Sequence, residues 1–248
     1  MLRQHLFDRA QRGDALFRWR GGEVSRLESL TDGVFALAMT LLVVPFEVRG
    51  VESFAQFEAI LLRAPVMALC VAFIIMVWQS HFLFHRRYGL EDGVTVWLNA
   101  AFLFVLLLGI YPLKLLATLL VNSFTDLGDG LSLRELGHEN VIWLMQAYGV
   151  GFGLIYLCLF VMTLRAWRRR DVFELDAVER VLSRGELASH GVMIAVSSLS
   201  IGLASAGLPG PAGLSYIAIG PMQGVLGWQI GRRATAQAAV RDSRVENP

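Results

Sequence analysis

The sequence predicts an all-α integral membrane protein with six transmembrane helices and both termini in the cytoplasm. Three observations lead to this prediction: the composition, the number of long apolar stretches, and the distribution of the basic residues. The chain has 248 residues, of which 55% are hydrophobic and 17% charged, and its mean hydropathy is +0.53. Such a composition is too apolar for an ordinary soluble domain and is typical of a membrane protein.

Six apolar stretches are long enough to cross a bilayer, which takes about 20 residues of helix. They lie near 30–48, 58–84, 94–121, 140–165, 187–207 and 212–231. The last two are separated only by the segment LASAGLPGPAGL, residues 203–214. Because this segment is rich in proline and glycine, we expect a break there and not one continuous helix.

The basic residues give the predicted orientation. With six spans and a cytoplasmic N-terminus, 18 of the 22 lysines and arginines fall in cytoplasmic segments. The four that remain outside are Arg49, Arg63, Lys114 and Arg134. This bias follows the positive-inside rule and favours a protein with its N-terminus and C-terminus both inside.

The predicted domain organisation has three parts. Residues 1–25 form an arginine-rich cytoplasmic arm without the apolar core of a signal peptide. Residues 26–231 form the six-helix transmembrane domain, and residues 232–248 form a cytoplasmic tail in which a helix end frays. Cys70 and Cys158 both fall inside predicted spans, so no disulfide is expected.

The chain lacks the common motifs of enzymes and metal sites: it has no phosphate-binding GxxxxGK[ST], no GxSxG, no CxxC and no HExxH. His81 and His85 are one helical turn apart, but no further ligand is near them in sequence, so no metal site is expected.

The segment AYGVGFGLIY (147–156) resembles a carbonyl-lined ion filter, yet it lies inside one continuous apolar stretch. Gly149 and Gly153 instead predict close helix packing. We therefore expect neither an enzyme nor a cofactor.

The first helix, within RLESLTDGVFALAMTLLVVPFEV (26–48), carries an apolar stripe. At about 100° per residue, Leu37, Leu41 and Val44 fall within about 40° of one another, and Thr40 lies at the edge of their line. Asp32 points about 140° away from Leu37. Periodicity alone does not tell whether the stripe faces a pore or packs like any other membrane helix.

Polar residues crowd the start of this helix. Arg26 and Asp32 are six positions apart, which excludes an ion pair along one helix face. Thr31 or Asp32 could cap the helix if it began there. Alternatively, Trp78 and His81, at the same end of the second helix, could meet them with side-chain donors.

The residues Arg26-xxx-Leu30-Thr31-Asp32-Gly33 and the apolar run that follows resemble the RxxxFSD signature of the transmembrane protein 175 family of potassium-permeable channels. The segment WQSHFLFHRR (78–87) is similar to the family's second helix, and YPLKLLATLL (111–120) to its third. Two positions depart from the signature. Leu30 stands in place of phenylalanine, and Thr31 in place of serine, which keeps the hydroxyl.

The resemblance implies a fold and a set of site residues. Bacterial members with one six-helix repeat assemble as tetramers around a central pore lined by their first helices. By this resemblance, Leu37 would form the narrowest ring, with Leu41 and Val44 further out. A network near the cytoplasmic mouth would comprise Arg26, Thr31, Asp32, Trp78 and His81.

The sequence therefore predicts a homotetrameric, potassium-permeable cation channel with a hydrophobic constriction at Leu37, Leu41 and Val44. The Thr40 hydroxyl would add an oxygen to the pore. Potassium is the expected permeant ion, and the expected partners are other copies of the chain and the lipids of a bacterial inner membrane, with no nucleic acid. Two alternatives stay open: a transporter of small solutes or protons, and a structural membrane subunit that does not conduct.

Overall fold

A computed structural model describes residues 16–43, 53–54, 58, 61–124 and 136–246. Its long helices follow one another in antiparallel order. They are α1 (Arg26–Val43), α2 (Ala64–Tyr88), α3 (Gly93–Phe124), α4 (His138–Arg168), α5 (Ala177–Ser205) and, after the short α6 (Pro209–Leu214) and a 3₁₀ turn (Ser215–Ala218), α7 (Ile219–Glu246). We call the end at which α2 and α4 finish and α3 and α5 begin the arginine-rich end.

Four of these helices are long and apolar enough to cross a membrane: Ala64–Tyr88, Gly93–Asn122, His138–Arg168 and Ala177–Ser205. They correspond to the second through fifth predicted spans. Helix α1 has 18 residues and carries Arg26, Glu28 and Asp32 in its first turns. Residues 44–48, at the end of the first predicted span, lie outside the described residues. Membrane crossing by the first and sixth predicted spans stays a prediction.

The predicted break between the fifth and sixth spans is present. Helix α5 ends at Ser205, and Gly207 adopts φ +77°, a backbone conformation that residues with a Cβ rarely adopt. Helix α7 then continues to Glu246, well past the predicted start of the tail at residue 232. Near its end, Arg241 Nη1 lies 3.1 Å from Asp176 Oδ2, so this part of the chain returns to the start of α5.

The helices bury a shared apolar core. Helix α1 packs on α2 and α3, α3 packs on α4, and α4 packs on α5, which also contacts α7. The largest cluster of buried side chains joins α1 through α5 and includes Phe35, Ile74, Phe102, Phe152 and Met193. Because Phe35 belongs to this cluster, the core itself determines which face of α1 is covered.

The interface of α4 and α5 depends on small residues, as the spacing of Gly149 and Gly153 predicts. Ser197 Oγ on α5 donates a hydrogen bond of 2.6 Å to the carbonyl of Gly149. A Cβ at Gly153 would lie 2.6 Å from the same oxygen, and one at Gly149 would lie 2.7 Å from Ile201 Cγ1. The segment is part of the continuous helix α4, so its carbonyls serve the helix and do not line a filter.

The segment that precedes α1 is packed against the arginine-rich end. Phe17 is buried and meets Tyr88 edge-to-face, with ring centroids 5.7 Å apart. Arg20 forms an ion pair with Glu179 at the start of α5, with 2.6 Å between Nη2 and Oε2. A Cβ at Gly21 would lie 2.5 Å from the His85 carbonyl, so only glycine allows this close approach. The chain is therefore fixed in place just before α1 begins.

Asp92 joins α3 to α4 at the same end. Its Oδ1 accepts hydrogen bonds from the backbone N–H and the hydroxyl of Thr95, at 3.0 and 2.7 Å, and thereby caps the start of α3. Its Oδ2 lies 2.7 Å from Arg165 Nη2 and 3.1 Å from Arg169 Nη1. The hydrogen bond from Thr95, together with that from Arg165, holds the pKa of this carboxyl well below its usual range.

Gly153→Ala should lower the apparent melting temperature of the purified protein. The added methyl displaces Ser197 Oγ from its bond to Gly149, and overpacking of this kind costs about 1–3 kcal/mol. Gly151→Ala is the matched control, because a Cβ there meets no atom within 4 Å. Thermal unfolding in detergent measures both. Equal melting temperatures for the two variants would contradict close packing at Gly153.

Candidate functional site

Helix α1 begins with a capping box. Ser25 Oγ accepts a hydrogen bond of 3.1 Å from the backbone N–H of Glu28, and Glu28 Oε2 accepts one of 2.9 Å from the N–H of Ser25. This reciprocal pair satisfies two N–H groups that a helix start leaves without partners. Because the helix starts at Arg26, Thr31 and Asp32 lie inside it and do not cap it.

One face of α1 is buried and the other is uncovered. Thr31, Phe35, Ala38 and Leu42 are buried against α2 and α3. On the opposite face, Leu37 is 50% exposed although it is apolar, and Leu30, Gly33, Ala36 and Thr40 are exposed as well. Leu41 lies between the two faces and is partly buried. Val44 lies outside the described residues.

A partly buried lysine bonds to the last described turn of α1. Lys114 Nζ donates a hydrogen bond of 2.9 Å to the carbonyl of Leu42, in the last turn of the helix. Lys114 lies within α3, which continues past Pro112 to Phe124, in agreement with the third predicted span. The ammonium therefore holds the last described turn of α1 against α3.

A chain of buried polar groups connects α1 to α3 and α2. The Thr31 hydroxyl donates to the Leu27 carbonyl at 2.8 Å, so its oxygen accepts the bond of 2.9 Å from Asn99 Nδ2. Asn99 Oδ1 must then accept from His81 Nε2, 2.7 Å away. The direction of each bond follows from the one before it, and His81 carries its proton on Nε2.

His85 extends this chain by one helical turn. Its Nε2 lies 3.2 Å from His81 Nε2, and both side chains are buried. Since the single Nε2 proton of His81 is donated to Asn99, His85 Nε2 can only share that proton as a second, more distant acceptor. Within the described part of the chain, no group of three or more His, Cys, Asp or Glu side chains could hold a metal ion. The two histidines form part of a hydrogen-bonded chain.

Asp32 and Trp78 form a second link, closer to the surface. Trp78 Nε1 donates a hydrogen bond of 2.8 Å to Asp32 Oδ1, and the indole stacks on Phe82 with ring centroids 5.4 Å apart. Arg26 is exposed at the first position of α1 and has no polar partner among the residues that the structure describes. In a single chain, the structure thus brings Thr31 and His81 together through Asn99 and joins Asp32 to Trp78, while Arg26 stays apart.

Asn99 is the member of this site that the sequence interpretation missed. It lies in the apolar run of α3, is 1% exposed, and bonds to both Thr31 and His81. A polar amide within a membrane-spanning stretch is itself a signal, because such a group needs a partner on a neighbouring helix. No spacing rule, however, pairs Asn99 with Thr31, which is 68 residues away.

Asn99→Leu should destabilise the protein more than Trp78→Phe. The leucine removes the donor to the buried oxygen of Thr31 and the nearer acceptor of the His81 Nε2 proton, and loss of a buried partner costs about 1–3 kcal/mol. Trp78→Phe removes one bond to the exposed Asp32, which water can replace. Thermal unfolding in detergent compares the two variants, and an unchanged melting temperature for Asn99→Leu would show that the buried chain contributes nothing to stability.

Comparison with known proteins identifies relatives of this chain. Residues 26–109, which include α1, α2 and half of α3, match the family model for the endosomal/lysosomal potassium channel TMEM175. A Marivirga tractuosa protein named as a potassium channel is 36% identical over 193 residues, which are 75% of this chain and 76% of the relative. A Chryseobacterium protein, also named as a potassium channel, is 27% identical over 122 residues, 47% of this chain and 64% of the relative.

A solved structure is similar over most of the chain. It is the crystal structure of a threonine-to-alanine variant of the potassium channel MtTMEM175 in complex with a nanobody–MBP fusion protein. The TM-score is 0.74 at 31% sequence identity, and the match covers 87% of this chain and 97% of the other. The resemblance seen in the sequence is confirmed, and the family is one of ion channels and not of enzymes. This integral membrane protein belongs to the TMEM175 potassium channel family.

Proposed function

We propose that the chain is a potassium-permeable channel made of four copies, with the four α1 helices around a common axis and Leu37 at the narrowest point. The fold, the family and the naming of its relatives as potassium channels support ion conduction. The copy number, the constriction and the permeant ion are the parts of the proposal that experiment has to test.

The uncovered face of α1 carries this proposal. Thr31, Phe35 and Leu42 hold one side of the helix against α2 and α3, so the side with Leu37 is turned away from the subunit's own core. Gly33 and Ala36 on that side have little or no side chain, which lets helices approach closely. Four such faces around one axis would bury a surface that a single chain leaves open.

A ring of leucines at Leu37 would act by exclusion. Aliphatic side chains offer an ion no oxygen to replace its hydration shell, so a narrow apolar ring opposes passage by dewetting. Leu41 would continue this lining by about one turn. Val44 would follow if the helix continues with the same periodicity.

Thr40 would supply the oxygen that the leucines lack. Its side chain is exposed, and its hydroxyl donates a hydrogen bond of 2.9 Å to the carbonyl of Ala36 on its own helix. Because the proton is occupied by that bond, the free lone pairs of the hydroxyl oxygen are available to a cation. A few such oxygens beside an apolar ring give modest selectivity, weaker than that of a full carbonyl cage.

The polar groups at the start of α1 would hold the pore helix at the cytoplasmic mouth. Thr31 is fixed through Asn99 to α3 and α2, and Asp32 is fixed to Trp78 of α2. In this proposal the arginine-rich end faces the cytoplasm of a bacterial cell, the chain crosses the inner membrane six times, and Arg26 is free to meet a neighbouring subunit.

Leu37→Trp should abolish or strongly reduce potassium flux in liposomes that carry a potassium gradient, because four indoles close the ring. Leu37→Ser should raise the flux about ten-fold or more if the polar ring wets the constriction and removes at least about 1.4 kcal/mol from the barrier. A fluorescent readout of flux, with the reconstituted parent protein measured in parallel, gives both values.

Leu199→Trp is the matched control for these variants. Leu199 on α5 is 55% exposed, close to the 50% of Leu37, and lies on a different helix. Its replacement should leave the flux unchanged. If Leu37→Trp conducts like the parent, or if both tryptophan variants lose flux equally, Leu37 is not the constriction.

Four copies should be found when the purified protein is weighed by native mass spectrometry in mild detergent. A pore lined by α1 requires several chains, so a monomer that still moves potassium would contradict the proposed assembly. Saturable uptake of a small solute or of protons would instead favour a transporter. No flux of any kind from a correctly folded sample would favour a structural subunit.

A further inference from the structure

Two tryptophans on α4 mark the depth at which its arginine-rich end lies. Trp143 is 68% exposed near the start of the helix, and Trp167 lies at its end. They are 24 positions apart in the sequence, which is about 36 Å along an α-helix. The hydrocarbon core of a bilayer is about 30 Å thick, and tryptophan prefers its two interfaces. Trp167 therefore lies at the level of the lipid headgroups.

Guanidinium groups surround the Trp167 ring. The Arg170 guanidinium carbon lies 5.1 Å from the ring centroid, and that of Arg184, on α5, lies 4.9 Å from it. Attraction between a cation and an aromatic ring holds Arg184 in this place. Arg168 follows Trp167 directly on α4, so positive charges from two helices gather around one interfacial indole.

Two of these charges are not neutralised by the protein. Arg168 and Arg184 are exposed, and neither has a carboxylate partner within the described ranges. The neighbouring arginines differ, since Arg169 is paired with Asp92 and Arg180 with Asp171. Arg170 is intermediate, at 3.9 Å from Asp171. The fold thus leaves unpaired the two arginines that flank Trp167.

Each unpaired arginine lies at the end of a line of exposed apolar residues on its helix. At about 100° per residue, Arg168 continues the line of exposed side chains on α4, and Arg184 that on α5. The α4 line comprises Trp143, Val150, Leu154 and Leu157; the α5 line comprises Ala188, Ala195, Leu199 and Gly202. An apolar surface that ends in a cation at headgroup depth matches the shape of a phospholipid with a negative head.

We propose that Arg168 and Arg184 bind the headgroup of an anionic phospholipid beside Trp167, with its acyl chains along the exposed faces of α4 and α5. Charge complementarity selects the occupant: a zwitterionic lipid brings its own ammonium, which two unpaired guanidinium groups repel. With the proposed orientation, this lipid belongs to the cytoplasmic leaflet. Binding does not depend on ion conduction and is measured without it.

Native mass spectrometry of the purified protein, titrated with phosphatidylglycerol or phosphatidylcholine, tests the proposal. The parent protein should retain phosphatidylglycerol in preference to phosphatidylcholine. Each arginine near an anionic headgroup strengthens binding about five-fold. Arg168→Gln with Arg184→Gln should therefore weaken phosphatidylglycerol binding about 25-fold and leave phosphatidylcholine binding unchanged.

Two single variants make the test specific. Arg180→Gln removes the same charge from the same helix one turn earlier, but from a guanidinium already paired with Asp171, and should leave lipid binding near the parent value. Arg184→Lys keeps the charge and should retain most of the binding. Both substitutions lie at exposed positions, and thermal unfolding checks that each variant is folded.

Three results would overturn the proposal. The parent protein could bind the two lipids equally, or Arg180→Gln could lose as much binding as the variant that carries both Arg168→Gln and Arg184→Gln. The third result would be a disulfide between two copies of an Arg184→Cys variant in the assembled protein. That result would show that this face is a contact between subunits and not a lipid surface.

Discussion

The orientation of α1 is the constraint on which the rest of the structure depends. Its buried face is bound at two levels, by Asn99 at Thr31 and by Lys114 at the carbonyl of Leu42. These levels are about 16 Å apart along the helix axis. Between them Phe35 enters the common core, so the opposite side of the helix stays uncovered over the same length. The position of Leu37 is a consequence of bonds made on the other side of the helix.

Hydrogen bonds between polar groups fix the rotation of α1 about its axis more firmly than apolar packing does. In lipid, a helix covered with leucine, alanine and valine can turn about its axis and exchange one apolar contact for another at small cost. A buried hydroxyl, amide or ammonium has no such freedom, because each one left without a partner costs about 1–3 kcal/mol or more. Asn99 and Lys114 both come from α3, so this helix supplies the polar bonds to the buried face of α1.

The sequence predicted these features unevenly, for physical reasons. Hydropathy depends on neighbours in sequence, so it predicted the positions of the second to fifth spans and the break near Gly207. The partners of Thr31 and Leu42 are 68 and 72 residues away, and no local pattern encodes them. Only the family resemblance predicts that the apolar stripe on α1 lines a pore, because a pore-lining helix and a packed helix have the same periodicity. The Ser25–Glu28 capping box that starts α1 was not predicted, and Thr31 or Asp32 was considered as a cap only if the helix began there.

The ion pair between Arg20 and Glu179 also has a consequence for how the protein is made. The two residues are 159 positions apart, so Arg20 leaves the ribosome long before its partner exists. At the usual 5–20 residues per second, about 8–30 s pass before Glu179 is synthesised. During that time α1 has already been made, while the surface that receives the preceding segment is incomplete. Until the start of α5 has been produced, Arg20 therefore lacks the carboxylate that holds the segment preceding α1 in place.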